Sequence, residues 1–190
     1  MKQEAPAPRL SITSIASRNA CPVCVAMREF QTDLLKRLKP ADCQQFCNTH
    51  GWVIANSAPA ETVATIFLKA IANPAWRPAS SISGECDFCK KMLAEKEKRL
   101  GEIVEQLQEP RLRSWLHDYG MLCSRHGREV MSKMPEALRK SIEELIERNS
   151  GEIVEILEDY LRRVKQGSHV GGGVLGRAAE FLVAQRGIES

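Results

Sequence analysis

The sequence predicts an all-α protein of two pseudo-repeated helical units, each clamped by a metal site of three cysteines and one histidine. Long runs of Glu, Lys, Arg, Leu and Ala, with few β-branched clusters, favour helix over strand. Hydrophobic residues make up 43% of the chain and charged residues 27%, a balance typical of globular proteins. The third observation is a repeated pattern of cysteine and histidine, which suits small units that need a metal to complete their core.

Two kinds of short motif alternate along the chain. A C-x-x-C motif at 21–24 is followed by C-x-x-H-G at 47–51, and a second C-x-x-C at 86–89 is followed by C-x-x-H-G at 123–127. Three thiolates and one imidazole are a usual tetrahedral donor set for Zn²⁺. The scheme uses six of the seven cysteines and two of the four histidines. Cysteines buried merely as small hydrophobic residues would show no such order.

Each half of the chain is predicted to bind one Zn²⁺ with its own two motifs, giving two ions per chain. The first predicted site consists of Cys21, Cys24, Cys47 and His50. The second predicted site consists of Cys86, Cys89, Cys123 and His126. The spacing between the motifs is 23 positions in the first half and 34 in the second, so the halves are not superposable copies.

Other cysteine chemistries are weighed against zinc. An iron–sulfur cluster with the same ligands remains an open alternative. Thiol–disulfide catalysis needs a strand before the C-x-x-C motif, and none is predicted. Haem attachment needs a histidine directly after the motif, where Val25 and Lys90 stand. Cys43 lies four positions before Cys47 and is interpreted as a buried cysteine, with a role as an alternative ligand left open.

The strongest linker signal is a segment rich in proline and serine that ends in Gly84. The predicted organisation is a flexible leader (1–18), a first metal-clamped unit (19–73), a linker (74–85), a second metal-clamped unit (86–166) and a glycine-rich linker with a short C-terminal helix (167–190). Helical periodicity predicts helices over 22–38, 60–72, 88–108, 135–166 and 177–185. Trp52 and Ile71 are expected in the core, and Trp76 is expected to pack back onto one half.

Composition and charge exclude several functional classes. The formal charge of +3 invites a nucleic-acid partner, but each proposed site would add a net −1 from three thiolates and one Zn²⁺, leaving about +1. No apolar stretch reaches the roughly 18 residues that a membrane span requires. Paired C-x-x-C motifs without a secretory signal indicate a cytoplasmic protein with reduced thiols. A four-ligand site leaves no position for an activated water, so no enzyme is expected.

The order of the motifs resembles a family of uncharacterised bacterial proteins built from tandem CPxC…CxxH helical half-repeats, a domain of unknown function. The resemblance covers about residues 20–166 and rests on CPVC, FCNTHGW, CDFC and LCSRHG. It implies an all-helical metal-binding protein and no particular activity. The second half departs from the pattern, since Asp87 replaces the proline and Arg128 stands where Trp52 stands in the first half.

Three functions are considered. The first is a non-catalytic binding or adaptor module with structural zinc, whose partner is another protein or a second copy bound through the long helix at 135–166. The second is a redox or metal sensor that uses the Cys₃His sites. Nucleic-acid binding is a distant third, supported only by Arg125, Arg128 and scattered tryptophans.

Overall fold

The structure, a computed structural model, describes residues 20–73, 76, 86–168 and 171–183. These residues form eight α-helices and one 3₁₀ turn (Pro40–Asp42) and contain no strand, which confirms the all-α class. The helices are α1 (Pro22–Arg37), α2 (Asn48–Ser57), α3 (Ala60–Ala72), α4 (Asp87–Gln106), α5 (Pro110–Tyr119), α6 (Ser124–Lys133), α7 (Glu136–Lys165) and α8 (Gly173–Val183). The predicted leader and, apart from Trp76, the predicted linker 74–85 lie outside the described residues.

Proline and glycine set several helix ends. Pro22 and Pro110 are the first residues of α1 and α5, where a missing N–H costs nothing because the first turn has no acceptor for it. Gly167 ends α7 with a φ of 74°, in the left-handed region that glycine adopts without strain. The next N–H, of Ser168, donates to the carbonyl of Arg163 at 3.0 Å. The helix α8 then begins at Gly173, four residues before the predicted start.

The chain divides into two compact units, and the division does not follow the predicted halves. One unit contains residues 20–26 and 98–183, and the other contains residues 27–97. The boundaries fall inside α1 and inside α4, so each unit takes residues from both predicted halves. Two units are therefore present, with one cysteine–histidine cluster in each.

In the unit of residues 20–26 and 98–183, the long helix α7 is the scaffold on which α5, α6 and α8 pack. Ile142, Leu145 and Ile153 form its buried face. The buried Asn149 side chain donates to the Leu122 carbonyl at 3.4 Å, and Arg148 donates to the Gly120 carbonyl at 2.8 Å. These bonds hold the segment that leads into the third cysteine motif against α7.

In the unit of residues 27–97, an aromatic group joins α3 to the segment before α2. The Phe46 ring lies 5.6 Å from the Phe67 ring and 5.0 Å from the Trp76 ring, between centroids. The expectation that Trp76 packs back onto one half of the chain is therefore confirmed.

Two residues expected in the core are exposed. Trp52 has 67% and Ile71 has 83% of its surface accessible, whereas Ile54 and Ile66 on the same helices are buried. Positions two or five apart on an α-helix differ by about 200° or about 140° around its axis. Each exposed residue therefore faces away from the buried isoleucine of its own helix, and the prediction was wrong for both.

The glycine after each histidine marks a close helix contact. A Cβ on Gly127 would lie 2.5 Å from Ile146 Cδ1 and 2.9 Å from Ile146 Cγ1, because α6 packs closely on α7 there. A Cβ on Gly51 would lie 3.2 Å from Phe46 Cδ2. The side chain of a β-branched isoleucine in a helix has little freedom to move aside. The fifth position of the C-x-x-H-G motif is thus small for reasons of packing.

No helix in the described part of the chain combines the length and hydropathy that crossing a bilayer demands.

Replacing Gly127 with alanine is expected to lower the free energy of unfolding by about 1–3 kcal/mol, because the new methyl group overpacks the contact with Ile146. The matched control is Gly151→Ala in the middle of α7, where nothing lies within 4 Å of the new Cβ. That change should stabilise the protein by about 0.5–1 kcal/mol through lower backbone entropy. Urea unfolding of the metal-loaded protein measures both, and equal effects would contradict the close contact.

Candidate metal centres

The eight predicted ligands form two clusters, but not in the predicted combinations. Cluster 1 consists of Cys21, Cys24, Cys123 and His126. Cluster 2 consists of Cys47, His50, Cys86 and Cys89. In each cluster the four donor atoms lie within 4.8 Å of one another. Every ligand of cluster 1 belongs to the unit of residues 20–26 and 98–183, and every ligand of cluster 2 belongs to the unit of residues 27–97.

The predicted pairing of motifs within each half is therefore wrong. The C-x-x-C motif of the first half meets the C-x-x-H motif of the second half, and the two inner motifs meet each other. Each motif supplies two ligands, so either combination gives a complete Cys₃His set. Spacing along the chain shows which residues act as a pair within a motif, but packing decides which motifs meet.

Cluster 1 has the dimensions of a tetrahedral site. The three sulfur atoms of Cys21, Cys24 and Cys123 lie 3.6, 3.3 and 3.2 Å from His126 Nδ1. Cys24 Sγ lies 3.9 Å from Cys123 Sγ. Metal–ligand bonds of about 2.3 Å to sulfur and about 2.0 Å to nitrogen give tetrahedral edges of about 3.8 Å for S···S and about 3.5 Å for S···N. The observed separations agree with these edges to within about 0.3 Å.

Cluster 2 repeats the same geometry. The sulfur atoms of Cys86, Cys89 and Cys47 lie 3.5, 3.2 and 3.2 Å from His50 Nδ1. Cys47 Sγ lies 3.9 Å from Cys89 Sγ. Corresponding distances in the two clusters differ by 0.1 Å or less, and in both the histidine presents Nδ1 to the sulfur atoms. A C-x-x-C motif and a C-x-x-H motif thus meet in the same geometry in both clusters.

All four motifs lie at the N-termini of helices. Cys21 and Cys86 directly precede α1 and α4, and Cys47 and Cys123 are the N-cap residues of α2 and α6. The second ligand of each motif follows three positions later, on the same face of the first turn. Backbone N–H groups at a helix N-terminus carry partial positive charge and stabilise thiolates. Two helix N-termini therefore favour the net negative charge of three thiolates and one divalent ion.

Seven of the eight donors are buried, and burial opposes ionisation of the thiols. The pKa of Cys21 is raised to about 12, chiefly by desolvation, which outweighs the opposing hydrogen bond to Cys123, while the neighbouring Cys24 adds to the rise. Cys89, the one donor of intermediate exposure, also has its pKa raised to about 12, by burial and by Cys86 and Cys47. A bound cation would favour the thiolate forms of Cys21 and Cys89 and so offset the effect of burial.

Cys86 behaves differently from its neighbours. Burial opposes its ionisation, but hydrogen bonds from the His50 side chain and from the backbone N–H of Cys89 outweigh burial and lower its pKa to about 6. The pKa of Cys86 is thus shifted in the direction that favours its thiolate, the form that binds a metal ion.

Asp87 positions the two motifs of cluster 2, a role that the sequence did not reveal. Its carboxylate Oδ2 accepts hydrogen bonds from the backbone N–H groups of Gln44 and Gln45, both at 3.0 Å. In return, the backbone N–H of Asp87 donates to the Gln45 carbonyl at 3.0 Å. Asp87 replaces the proline of the first motif, and proline has neither a carboxylate nor an N–H for these bonds.

Cys43 belongs to neither cluster. It is buried, and burial together with the charges of Asp87 and Cys86 raises its pKa to about 12. All seven cysteines lie in the part of the chain that the structure describes, and none of them forms a disulfide. The interpretation of Cys43 as a buried cysteine is confirmed, and its use as an alternative ligand stays untested.

An open cavity of about 520 Å³ borders cluster 2 in the unit of residues 27–97. Trp52, Phe46, Phe67 and Trp76 form its aromatic walls, and Cys47 lies at its edge. Trp52 is thus exposed because it forms part of a cavity wall and does not belong to the core.

Paired substitutions distinguish the observed combination of motifs from the predicted one. The variant Cys24→Ser/Cys123→Ser should retain one chelator-resistant metal ion, because both changes fall in cluster 1 and cluster 2 keeps four ligands. The variant Cys24→Ser/Cys47→Ser should retain none, because each cluster loses one ligand. Metal content after dialysis against a competing chelator measures both. If the first variant retained no metal ion and the second retained one, the pairing of motifs within each half would be correct.

The resemblance of the four motifs to a family of tandem CPxC…CxxH half-repeats stays a prediction. No protein-family model, no curated protein and no solved structure matches the chain.

Proposed function

We propose that this protein binds two structural Zn²⁺ ions and acts as a non-catalytic binding or adaptor module. The observation that carries the proposal is the pair of nearly identical Cys₃His clusters, each with four donors at tetrahedral separations. Zinc is preferred because its sites commonly take this donor set and this geometry. Seven cysteines with no disulfide among them fit a reducing compartment such as the cytoplasm.

The donor set favours a structural ion over a catalytic one. Three sulfur atoms and one nitrogen atom complete a tetrahedron, so a bound zinc would have no open position for water or substrate. All four donors of cluster 1 are buried, as are three of the four in cluster 2. Burial further limits access of substrate to the ion, and function then lies in the surface that the metal-clamped helices present.

Metal binding is expected to supply much of the folding free energy. Structural zinc contributes roughly 10–16 kcal/mol in small zinc-binding peptides at neutral pH, which is comparable to the total stability of a typical domain. Neither cluster is formed by neighbours in sequence, since its two motifs come from distant segments. Loss of the ion would leave buried thiols without their cation and helix N-termini without their anchor.

Elemental analysis with an anaerobic visible spectrum tests the proposal directly. Freshly purified protein should contain two zinc ions per chain and be colourless, because Zn²⁺ has a filled d shell. Iron together with inorganic sulfide in a brown sample would instead indicate that the same residues hold iron–sulfur clusters. Protein that folds without any metal would refute both assignments.

A second candidate function is redox sensing at cluster 2. The observation that favours it is the intermediate exposure of Cys89, the one ligand of the eight that is not buried. Oxidants attack accessible sulfur first, and oxidised sulfur is a poor zinc ligand. Release of zinc would then loosen the unit of residues 27–97 and expose apolar surface.

Peroxide treatment separates the two candidates. A sensor should release one equivalent of zinc quickly and lose helicity, because cluster 2 is the more accessible site. The matched control is Cys47→Ser/Cys86→Ser, which keeps only cluster 1 and should release its zinc slowly. A chromogenic zinc chelator and circular dichroism follow both events. Zinc that stays bound in the wild-type protein, with helicity unchanged, would reject the sensor and leave the structural module.

A further inference from the structure

The C-terminal third of α7 carries an apolar seam that the unit leaves largely exposed. The seam consists of Val154, Leu157, Leu161 and Val164. Val154, Leu161 and Val164 have 49%, 54% and 46% of their surface accessible, and Leu157 is half-buried. Every residue from 161 to 168 is exposed, so the helix continues beyond the core that its first half covers.

The spacing of the seam is that of a two-stranded coiled coil. Its members are three, four and three positions apart, which is the alternation of heptad positions a and d. Leu157 also packs against the core formed with α8, so the seam runs along the edge of the buried face. A helix end with no packing partner is only marginally stable in water, and a partner along the seam would stabilise it.

The charged residues beside the seam indicate that the partner is a second, antiparallel copy of this helix. Glu155 and Glu158 precede the middle of the seam, and Arg162, Arg163 and Lys165 follow it. An antiparallel second copy places the acidic segment of each helix against the basic segment of the other. A parallel copy would instead place each basic segment beside its own equivalent, which is repulsive.

The heptad register makes the pairing specific. With Val154 opposite Val164 of the partner subunit, Leu157 lies opposite Leu161 of the partner subunit. Glu158 and Lys165 both occupy heptad position e, beside the seam. In an antiparallel pair the two e positions face each other, so Glu158 meets Lys165 of the partner subunit and the two-fold axis repeats the contact.

We propose that two copies of this chain associate through an antiparallel pairing of the α7 seam. This inference rests on the proposed function, since it names the partner of the binding module as a second copy. The interface is isologous, as expected for a two-fold dimer, and uses only residues of the unit that contains cluster 1.

Light scattering of the metal-loaded full chain at several micromolar concentrations tests the pairing. The expected mass is twice 21.2 kDa. The variant Leu161→Glu/Val164→Glu should be monomeric, because every layer of the seam would then bury a carboxylate against Leu157 or Val154 of the partner subunit. The matched control is Ile71→Glu, an exposed apolar residue of the other unit, which should remain dimeric. A monomeric wild-type protein, or a dimer that the seam variant leaves intact, would overturn the proposal.

Charge reversal tests the orientation. Glu158→Lys should weaken the dimer, because lysines would then face each other, and Glu158→Lys/Lys165→Glu should restore it. Failure of the double variant to restore the dimer, with both variants folded by circular dichroism, would overturn the antiparallel register. Zinc measured on the same samples separates this proposal from the function proposed above. A monomer with two zinc ions refutes the seam alone, whereas a dimer without metal refutes the zinc module and keeps the seam.

Discussion

Two helix N-termini that meet over three sulfur atoms and one nitrogen atom are the arrangement on which each unit depends. The first turn of each helix supplies two donors on one face, and its backbone N–H groups favour the negative charge that the donors carry once ionised. Burial alone works against this charge, as the raised pKa of Cys21 shows. The rest of each unit therefore serves to bring the two helix ends together and to keep water away.

The two units achieve this convergence by different means. In cluster 1, Asn149 and Arg148 on α7 hold the segment before Cys123, and Gly127 lets α6 lie close to the same helix. In cluster 2 the corresponding support is local, since Asp87 binds the backbone two and three positions before Cys47. Similar geometry of the four donor atoms is thus supported by a long helix in one unit and by a short hydrogen-bonded loop in the other.

The fold class and the eight donor residues could be predicted from the sequence, because both depend on local patterns. Helical periodicity needs only neighbouring residues, and C-x-x-C and C-x-x-H each place two donors on one turn. Which motifs meet could not be predicted, because any C-x-x-C completes any C-x-x-H. The error at Trp52 and Ile71 has a related origin. Both are hydrophobic and close in sequence to buried residues of their helices, but their angular positions around the helix axis place them on the exposed face.

The nesting of the clusters has a consequence for the order in which the chain folds during synthesis. Cluster 2 is complete once residue 89 has emerged, whereas cluster 1 must wait for His126, about 100 positions after its first motif. Closing cluster 2 first shortens the loop between Cys24 and Cys123 by the 42 positions between Cys47 and Cys89. The entropic free-energy cost of bringing the cluster 1 motifs together falls by only about 0.5 kcal/mol, because the cost of closing a loop grows slowly with its length. The N-terminal motif therefore stays without its partner motif until His126 has been synthesised, and in that interval its two thiols can react with other metal ions and oxidants.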